Sequence, residues 1–263
     1  MRLYTLIENT ACRDDLAAEH GLSLFIETDD LRILFDAGQS GAFADNAAKM
    51  GVDLRSADCA VLSHGHYDHG GGLERFRKIH PAAPIYVNRD AFGGHYNAAG
   101  KYIGLDTGLR DCGQLRLTGD ALEIAPGVTI VTCNDRPRPF PADSFGLTRE
   151  EAGQRRPDRF CHEQYLVIEE RGRRYVFSGC AHKGLRNILS WLRPDGLVGG
   201  CHLRDLDPDG PGRENLDDAA RMLGSMGTVC YTGHCTGQRQ FDCLKDKLGD
   251  RLHGLSAGAV FTL

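Results

Sequence analysis

No run in this 263-residue chain approaches the roughly 18 apolar residues that a membrane-spanning helix needs, so helical insertion into a membrane is excluded. Low-complexity linkers are missing too, and a single domain over residues 1–263 is the expectation. The ten cysteines show neither a CxxC pair nor the spacing of a disulfide framework. Most are therefore expected to be reduced and buried as small hydrophobes. Positive charge is not in excess either. The formal net charge of −5 would gather no polyanion, which argues against nucleic acid and against an anionic membrane surface as partners. The amino-terminal stretch MRLYTLIENTACRDD lacks a basic segment leading into an apolar one, so the expected address is the cytoplasm and the expected partner a small molecule. Oligomeric state is not legible.

Glycine, by contrast, is plentiful. Its 33 residues are about 12.5% of the chain against a usual ~7%, with no period, so many loops must turn tightly or approach something closely. Short apolar runs alternate with amphipathic ones, the pattern of helices laid over sheets. Strands are expected over 2–8, 22–27, 32–35, 59–63, 85–88, 129–133, 164–169, 174–178, 197–199, 229–232 and 259–262. Helices are expected over 41–50, 72–79, 185–192, 215–226 and 238–248. Two stretches show no clear period, 89–120 and 134–159. The second, rich in proline and arginine, reads as a long loop serving as a lid or binding segment.

The sharpest signal is HGHYDH at residues 64–69, directly after the strand CAVLS and directly before GGGLERFRKI. Three histidines and an aspartate at these spacings would arise by composition with a chance of only about 2 × 10⁻³ over the whole chain. Imidazole and carboxylate suit zinc, manganese or iron. Four such groups, His64, His66, Asp68 and His69, exceed what one tetrahedral ion with an open position takes, so two ions sharing the loop is the natural reading. Other candidates share one local grammar, in which a strand is followed by small residues and then a metal-capable group. ILFDAG supplies Asp36, VFSGCAHKG supplies Cys180 and His182, LVGGCHL supplies Cys201 and His202, and VCYTGHCTG supplies His234 and Cys235. Groups at the carboxyl ends of strands converge in α/β sheets, and His182 and His234 are read as ligands on that ground. His162 and His20 are weaker candidates, His80 and His253 read as ordinary surface or packing residues, and His95 carries no signal either way.

HGHYDH after an apolar strand resembles the HxHxDH signature of the metallo-β-lactamase superfamily, and Asp36 resembles that superfamily's aspartate at the end of an early strand. AEHGLSLFIE, ILFDAGQS, LSHGHYDHGGGL, SGCAHKGLRNI, GGCHL and GHCTG are similar, in order and along almost the whole chain, to the subfamily labelled 7,8-dihydropterin-6-methyl-4-(β-D-ribofuranosyl)-aminobenzene-5′-phosphate synthase. The resemblance implies an α/β protein, an αββα sandwich of the metallo-β-lactamase fold, with a dinuclear metal site at one edge of the two sheets. It implies that His64 and His66 hold one ion, that Asp68 and His69 hold the other, and that His234 completes the second. Two departures stand out. The superfamily's histidine in a TPGHT-like segment is missing from APGVTIV, and Cys180 in FSGC replaces the bridging aspartate of an FTGD-like strand end. The first ion is thereby short of a ligand, for which Cys180, His182 and His162 are the candidates. His182, two residues beyond a strand end and just before a helix, is the expected ligand, with Cys180 near enough to touch the site.

The implied activity is that of a metal-dependent hydrolase with two divalent transition-metal ions, zinc first and manganese or iron as alternatives. A metal-held water would attack the phosphorus or carbonyl centre of a small anionic substrate, possession of a pterin ring resting on the resemblance alone. Asp68 would orient that water and bind metal, His202 would donate a proton to the leaving group, and Arg138 in the proline-rich loop would hold the substrate's anion. An iron-dependent redox or dioxygenase enzyme on the same fold, and a non-catalytic metal-binding sensor, are the alternatives.

Overall fold

The computed structural model describes residues 1–263. Strands β1 (Arg2–Ile7), β2 (Ser23–Glu27), β3 (Arg32–Phe35), β4 (Cys59–Val61) and β5 (Ile85–Asn88) precede the two-residue β6 (His95–Tyr96) and then β7 (Leu115–Thr118), β8 (Ala121–Ala125) and β9 (Val128–Val131). After the hairpin β10 (Thr148–Glu151) and β11 (Gln154–Pro157) come β12 (Tyr165–Glu170), β13 (Arg173–Ser178), β14 (Gly196–Gly199), β15 (Val229–Thr232), β16 (Leu252–Gly254) and β17 (Val260–Thr262). Helices α1 (Ala42–Met50), α2 (Tyr67–Gly70), α3 (Leu73–Ile79), α4 (Leu185–Leu192), α5 (Arg213–Met226) and α6 (Gln238–Leu248) lie between them. None is long and apolar enough to cross a membrane.

Two seven-stranded sheets, ordered β17-β1-β2-β3-β4-β5-β7 and β16-β15-β14-β13-β12-β9-β8, are packed face to face. The period-2 alternation of the central strands assigns each residue to a layer. Leu24 and Ile26 of β2 meet Leu166 and Ile168 of β12 in the core between the sheets. Phe25 of β2 faces the other way, onto Phe43 of α1 and Phe76 of α3. Val167 of β12 and Val176 of β13 face Ile188 of α4, Leu216 of α5 and Leu244 of α6. The order is therefore helices, sheet, sheet, helices. Strands buried on both faces explain why SLFIE and YLVI read as continuous apolar runs rather than as strict alternation.

Pairing is parallel across β3-β4-β5-β7 and across β13-β14-β15-β16. The carboxyl ends of these two parallel halves lie along one edge of the sandwich, where the loops after β3, β4, β13, β14 and β15 meet. Glycine is structurally required on this edge. A Cβ on Gly72 would collide with the carbonyl oxygens of Ala37 and Ser40, so the chain leaving the HGHYDH loop can pass beneath the loop after β3 only without a side chain.

The expected boundaries hold to within two residues for the core strands and for the helices, and the differences lie elsewhere. The stretch 134–159 is not one long loop, because it contains the β10–β11 hairpin, which pairs through β10 with β6 in a small third sheet. Ala152 and Gly153 turn this hairpin, both with positive φ, as a tight two-residue connection needs. The edge strands β7 and β8, the short β16 and the single turn α2 also lie outside the expected elements. Seven of the ten cysteines are buried and all ten are free, as thiols packed like small hydrophobes would be.

Candidate metal centre

The HGHYDH segment leaves β4 extended through His66 and then closes into α2, so that four side chains project from six residues in two directions. His64 Nε2 lies 3.0 Å from His66 Nδ1 and 3.3 Å from His182 Nε2, which arrives from the loop after β13. On the other side, His69 Nε2 lies 3.2 Å from His234 Nε2, and Asp68 Oδ2 lies 3.5 Å from the same His234 nitrogen and 3.9 Å from His69 Nε2. The donors thus form two triads, His64–His66–His182 and Asp68–His69–His234. The metal-capable residues expected on the loops after β13 and β15, His182 and His234, come together with the HGHYDH loop. Cys180 Sγ lies between the triads, 3.2 Å from His69 Nε2 and grouped with His64 and His69.

Two observations show that these residues suit metal ions. The first is spacing. Ligands about 2.0–2.1 Å from a tetrahedral zinc stand about 3.3 Å apart, since a tetrahedron's edge is about 1.6 times its centre-to-vertex distance. The closest pairs in both triads match that edge. The second is protonation. Asp36 Oδ2 lies 2.6 Å from His69 Nδ1, which fixes a proton on Nδ1 and turns Nε2 towards the triad. Ser63 gives its only hydroxyl proton to Asp36, so towards His64 Nδ1, 2.8 Å away, it accepts, and His64 Nε2 is bare. Asn9 Oδ1 accepts from His234 Nδ1 at 3.1 Å, with the same result. Three separate outer partners turn three ring nitrogens inward.

Electrostatics act in the same direction in the first triad and oppose it at His69. Burial and the neighbouring imidazoles push His64 and His182 well below the ordinary histidine value, and burial with the nearby His162 does the same to His66. These three rings are neutral at pH 7. Burial also disfavours charge on His69, but the carboxylates of Asp36 and Asp68 outweigh it and raise this group to about 9, so at pH 7 the ring also holds a proton on Nε2 that a bound cation would have to displace. Burial opposes ionisation of Asp68, yet His69, His20 and His234 around it hold its carboxyl well below the usual range.

The loops are held from outside by buried carboxylates. Glu163 accepts from the backbone of His182 at 2.7 Å and of Lys183 at 3.0 Å, and from the Tyr165 hydroxyl at 2.6 Å. Glu8 accepts from the backbone of His234 and from Thr10. Neither glutamate is visible as a site residue in the sequence. Glu163 carried a signal, standing beside His162 just before a strand, whereas Glu8 at the end of β1 carried none. Asp36, Ala181, His202 and His234 all adopt positive φ, a strained conformation for these residues that clusters on the four loops around the donors.

The remaining candidates take different places. His20 lies at the rim, its Nε2 3.2 Å from Asp68 Oδ2. His162 and His95 lie behind His66, beside Asp158. His80 and His253 are remote from both triads. A cavity of about 440 Å³ opens directly over the donors, with Asp68, Cys180, His182 and His234 in its walls. A larger one of about 630 Å³ adjoins it and is lined by Arg138, Phe140, Arg159 and Arg186. His182, His202 and Phe145 line both. The His202 ring sits 4.3 Å from that of His182, and neither of its nitrogens has a hydrogen-bond partner. Burial opposes a charge on it, but the Cys235 sulfur beside it raises its pKa above the ordinary value. Arg138 reaches the larger cavity from the loop before the hairpin and donates to the Arg159 carbonyl at 2.7 Å.

Known proteins resemble this chain over most of its length. The family profile described as the metallo-beta-lactamase superfamily matches residues 17–223. An uncharacterized protein of Methanocaldococcus jannaschii is 28% identical over 241 residues, covering 88% of this chain and 89% of that one. The 7,8-dihydropterin-6-methyl-4-(beta-D-ribofuranosyl)-aminobenzene-5′-phosphate synthase of the same organism is 26% identical over 287 residues, covering 99% and 96%. Among solved structures, Tm1679, described as a metal-dependent hydrolase of the beta-lactamase superfamily, superposes with a TM-score of 0.86 at 26% identity, covering 100% of this chain and 99% of that one.

Proposed function

The chain belongs to the metallo-β-lactamase superfamily, and from that premise we propose that it is a metal-dependent hydrolase acting on a small anionic substrate with a phosphate ester or an activated carbonyl. The observation that carries this reading is the pair of donor triads with their donor atoms turned inward beneath an open cavity. His64, His66 and His182 would hold one divalent ion and Asp68, His69 and His234 a second, with zinc the first choice for so imidazole-rich a set. When bound, such ions supply Lewis acidity and make a water nucleophilic near neutral pH.

The chain's own residues supply the rest. Asp68, on the cavity wall between His20 and His234, orients the attacking water. His202, with both ring nitrogens free of hydrogen bonds within the protein and its ring on the wall of both cavities, delivers a proton to the leaving group. Arg138 and Arg159 on the adjoining cavity offer contacts for an anionic group, Arg186 there being paired with Asp218, and Phe140 and Phe145 give it apolar faces for a flat one. A pterin-related substrate is a candidate, since the likeness to the pterin-related synthase spans nearly the whole chain.

Elemental analysis of metal-replete protein, followed by a panel of phosphodiesters, phosphomonoesters, lactones and thioesters, tests this. Two ions per chain with turnover of at least one class supports it. Metal-replete protein inert to all four overturns the hydrolase reading.

A further inference from the structure

Behind the first triad lies a second buried cluster, made by the far side of His66 with His95, Asp158 and His162. The four offer atoms all within 4.8 Å of one another, and none is more than 6% exposed. His95 Nδ1 and His162 Nε2 stand 3.0 and 3.3 Å from Asp158 Oδ2, with ring centroids 4.0 Å apart. His66 Nε2 has no hydrogen-bond partner.

Three histidines and a carboxylate have the composition of another metal site, but the protons oppose it. The Gly65 N–H donates to His162 Nδ1 at 2.9 Å, so the neutral ring carries its own proton on Nε2, aimed at Asp158. An ion at that nitrogen would have to displace this proton while the backbone still occupied the other. His66 is constrained in the same sense. If Nδ1 belongs to the first triad, Nε2 is an N–H with nothing to receive it, and leaving a buried donor unmet is costly. Two imidazoles, His95 and His162, therefore meet one oxygen of Asp158, whose other oxygen takes the Phe160 backbone N–H at 2.6 Å, while His66 lies in the same cluster with its Nε2 unmet.

His64, His69 and His234 each have an outer partner that holds a ring proton away from the triads. His66 has no such partner in direct contact, and Asp158 is the carboxylate of the buried cluster in which it stands, with the donor atoms of the four residues within 4.8 Å of one another. We infer that Asp158 is a positioning residue for the first metal position, receiving the His66 Nε2 proton through one bridging water or a small closure and so fixing the ring that presents Nδ1. The inference rests on the proposed ligation by His66. It also gives the hairpin a role, because Asp158 follows β11 directly and its backbone is bonded to Leu147 just before β10.

The test compares metal binding by the parent, Asp158→Asn and Asp158→Glu, read by chelator competition and by the visible spectrum of the cobalt-loaded protein. Asp158→Asn should weaken one of two ions about 10–100-fold, leave the other unchanged and alter the cobalt band, and Asp158→Glu should restore part of the loss. Equal affinity in Asp158→Asn overturns the inference, and so does a third ion in the parent. A parent that binds no ion through His64, His66 and His182 instead overturns the proposed function. Should Asp158→Asn not fold, nitrogen-15 histidine spectra of the zinc-loaded parent decide the question. His66 must then be protonated at Nε2 with its proton in a hydrogen bond, and His162 protonated at Nε2, and any other tautomer overturns the inference.

Discussion

Asp36 Oδ2 stands 2.6 Å from His69 Nδ1, and the same oxygen receives the Ser63 hydroxyl, whose lone pair in turn faces His64 Nδ1. One buried carboxylate therefore sets the protonation of a histidine in each triad. Asp36→Asn should weaken binding at both metal positions by about 10–100-fold while leaving circular dichroism intact. Backbone disruption is not expected, since asparagine tolerates the positive φ of this position as well as aspartate does. Titration calorimetry with zinc checks it, and loss at one position alone would contradict the shared role.

His182 and Cys180 should separate cleanly. His182→Ala should lower the metal content towards one ion per chain, and Cys180→Ala should keep both. Elemental analysis of the two variants decides, and the reverse result would hand the first position to the thiolate.

The reach of sequence reading is visible in this same region. HGHYDH was legible because its four groups lie within six residues, and His182 and His234 were legible because the strand-end rule needs only a strand and a small residue before them. Glu163 and Asp158 were not, since what they do depends on partners 19 and 20 or on 63 residues away in the chain. The β10–β11 hairpin was missed for a different reason. All four residues of β11 are exposed, so neither a buried face nor apolar alternation marks it.

Glu163→Ala should destabilise the fold by about 3 kcal/mol or more, because it strands the backbone N–H groups of His182 and Lys183 and the Tyr165 hydroxyl in the interior. Urea unfolding measures this. Glu163→Gln, which keeps an acceptor oxygen, should lose less.

Lys183 gives a pH dependence with a defined sign. Burial depresses its ammonium from 10.5 to about 8, while its Nζ donates to the carbonyls of Thr132 and Glu163. Between about pH 8 and 10.5 the unfolded chain binds the proton that the folded chain has released, so this group adds stability as pH rises through that window. The difference in unfolding free energy between the parent and Lys183→Met should change across the window and be flat below it.

Arg138→Ala should raise KM or lower kcat/KM for anionic substrates without changing metal content. Steady-state kinetics on charged and neutral members of one substrate class would show it. An equal effect on both members would remove the anion contact.

The two triads draw on loops from both sheets, and His69 and His234 are separated by 165 residues of chain. At a synthesis rate of about 5–20 residues per second, a ribosome needs roughly 8–33 s to pass from one to the other. For that interval HGHYDH exists without the histidine that completes the second triad. A site that draws on both His69 and His234 can therefore be completed only after nearly nine-tenths of the chain has been made.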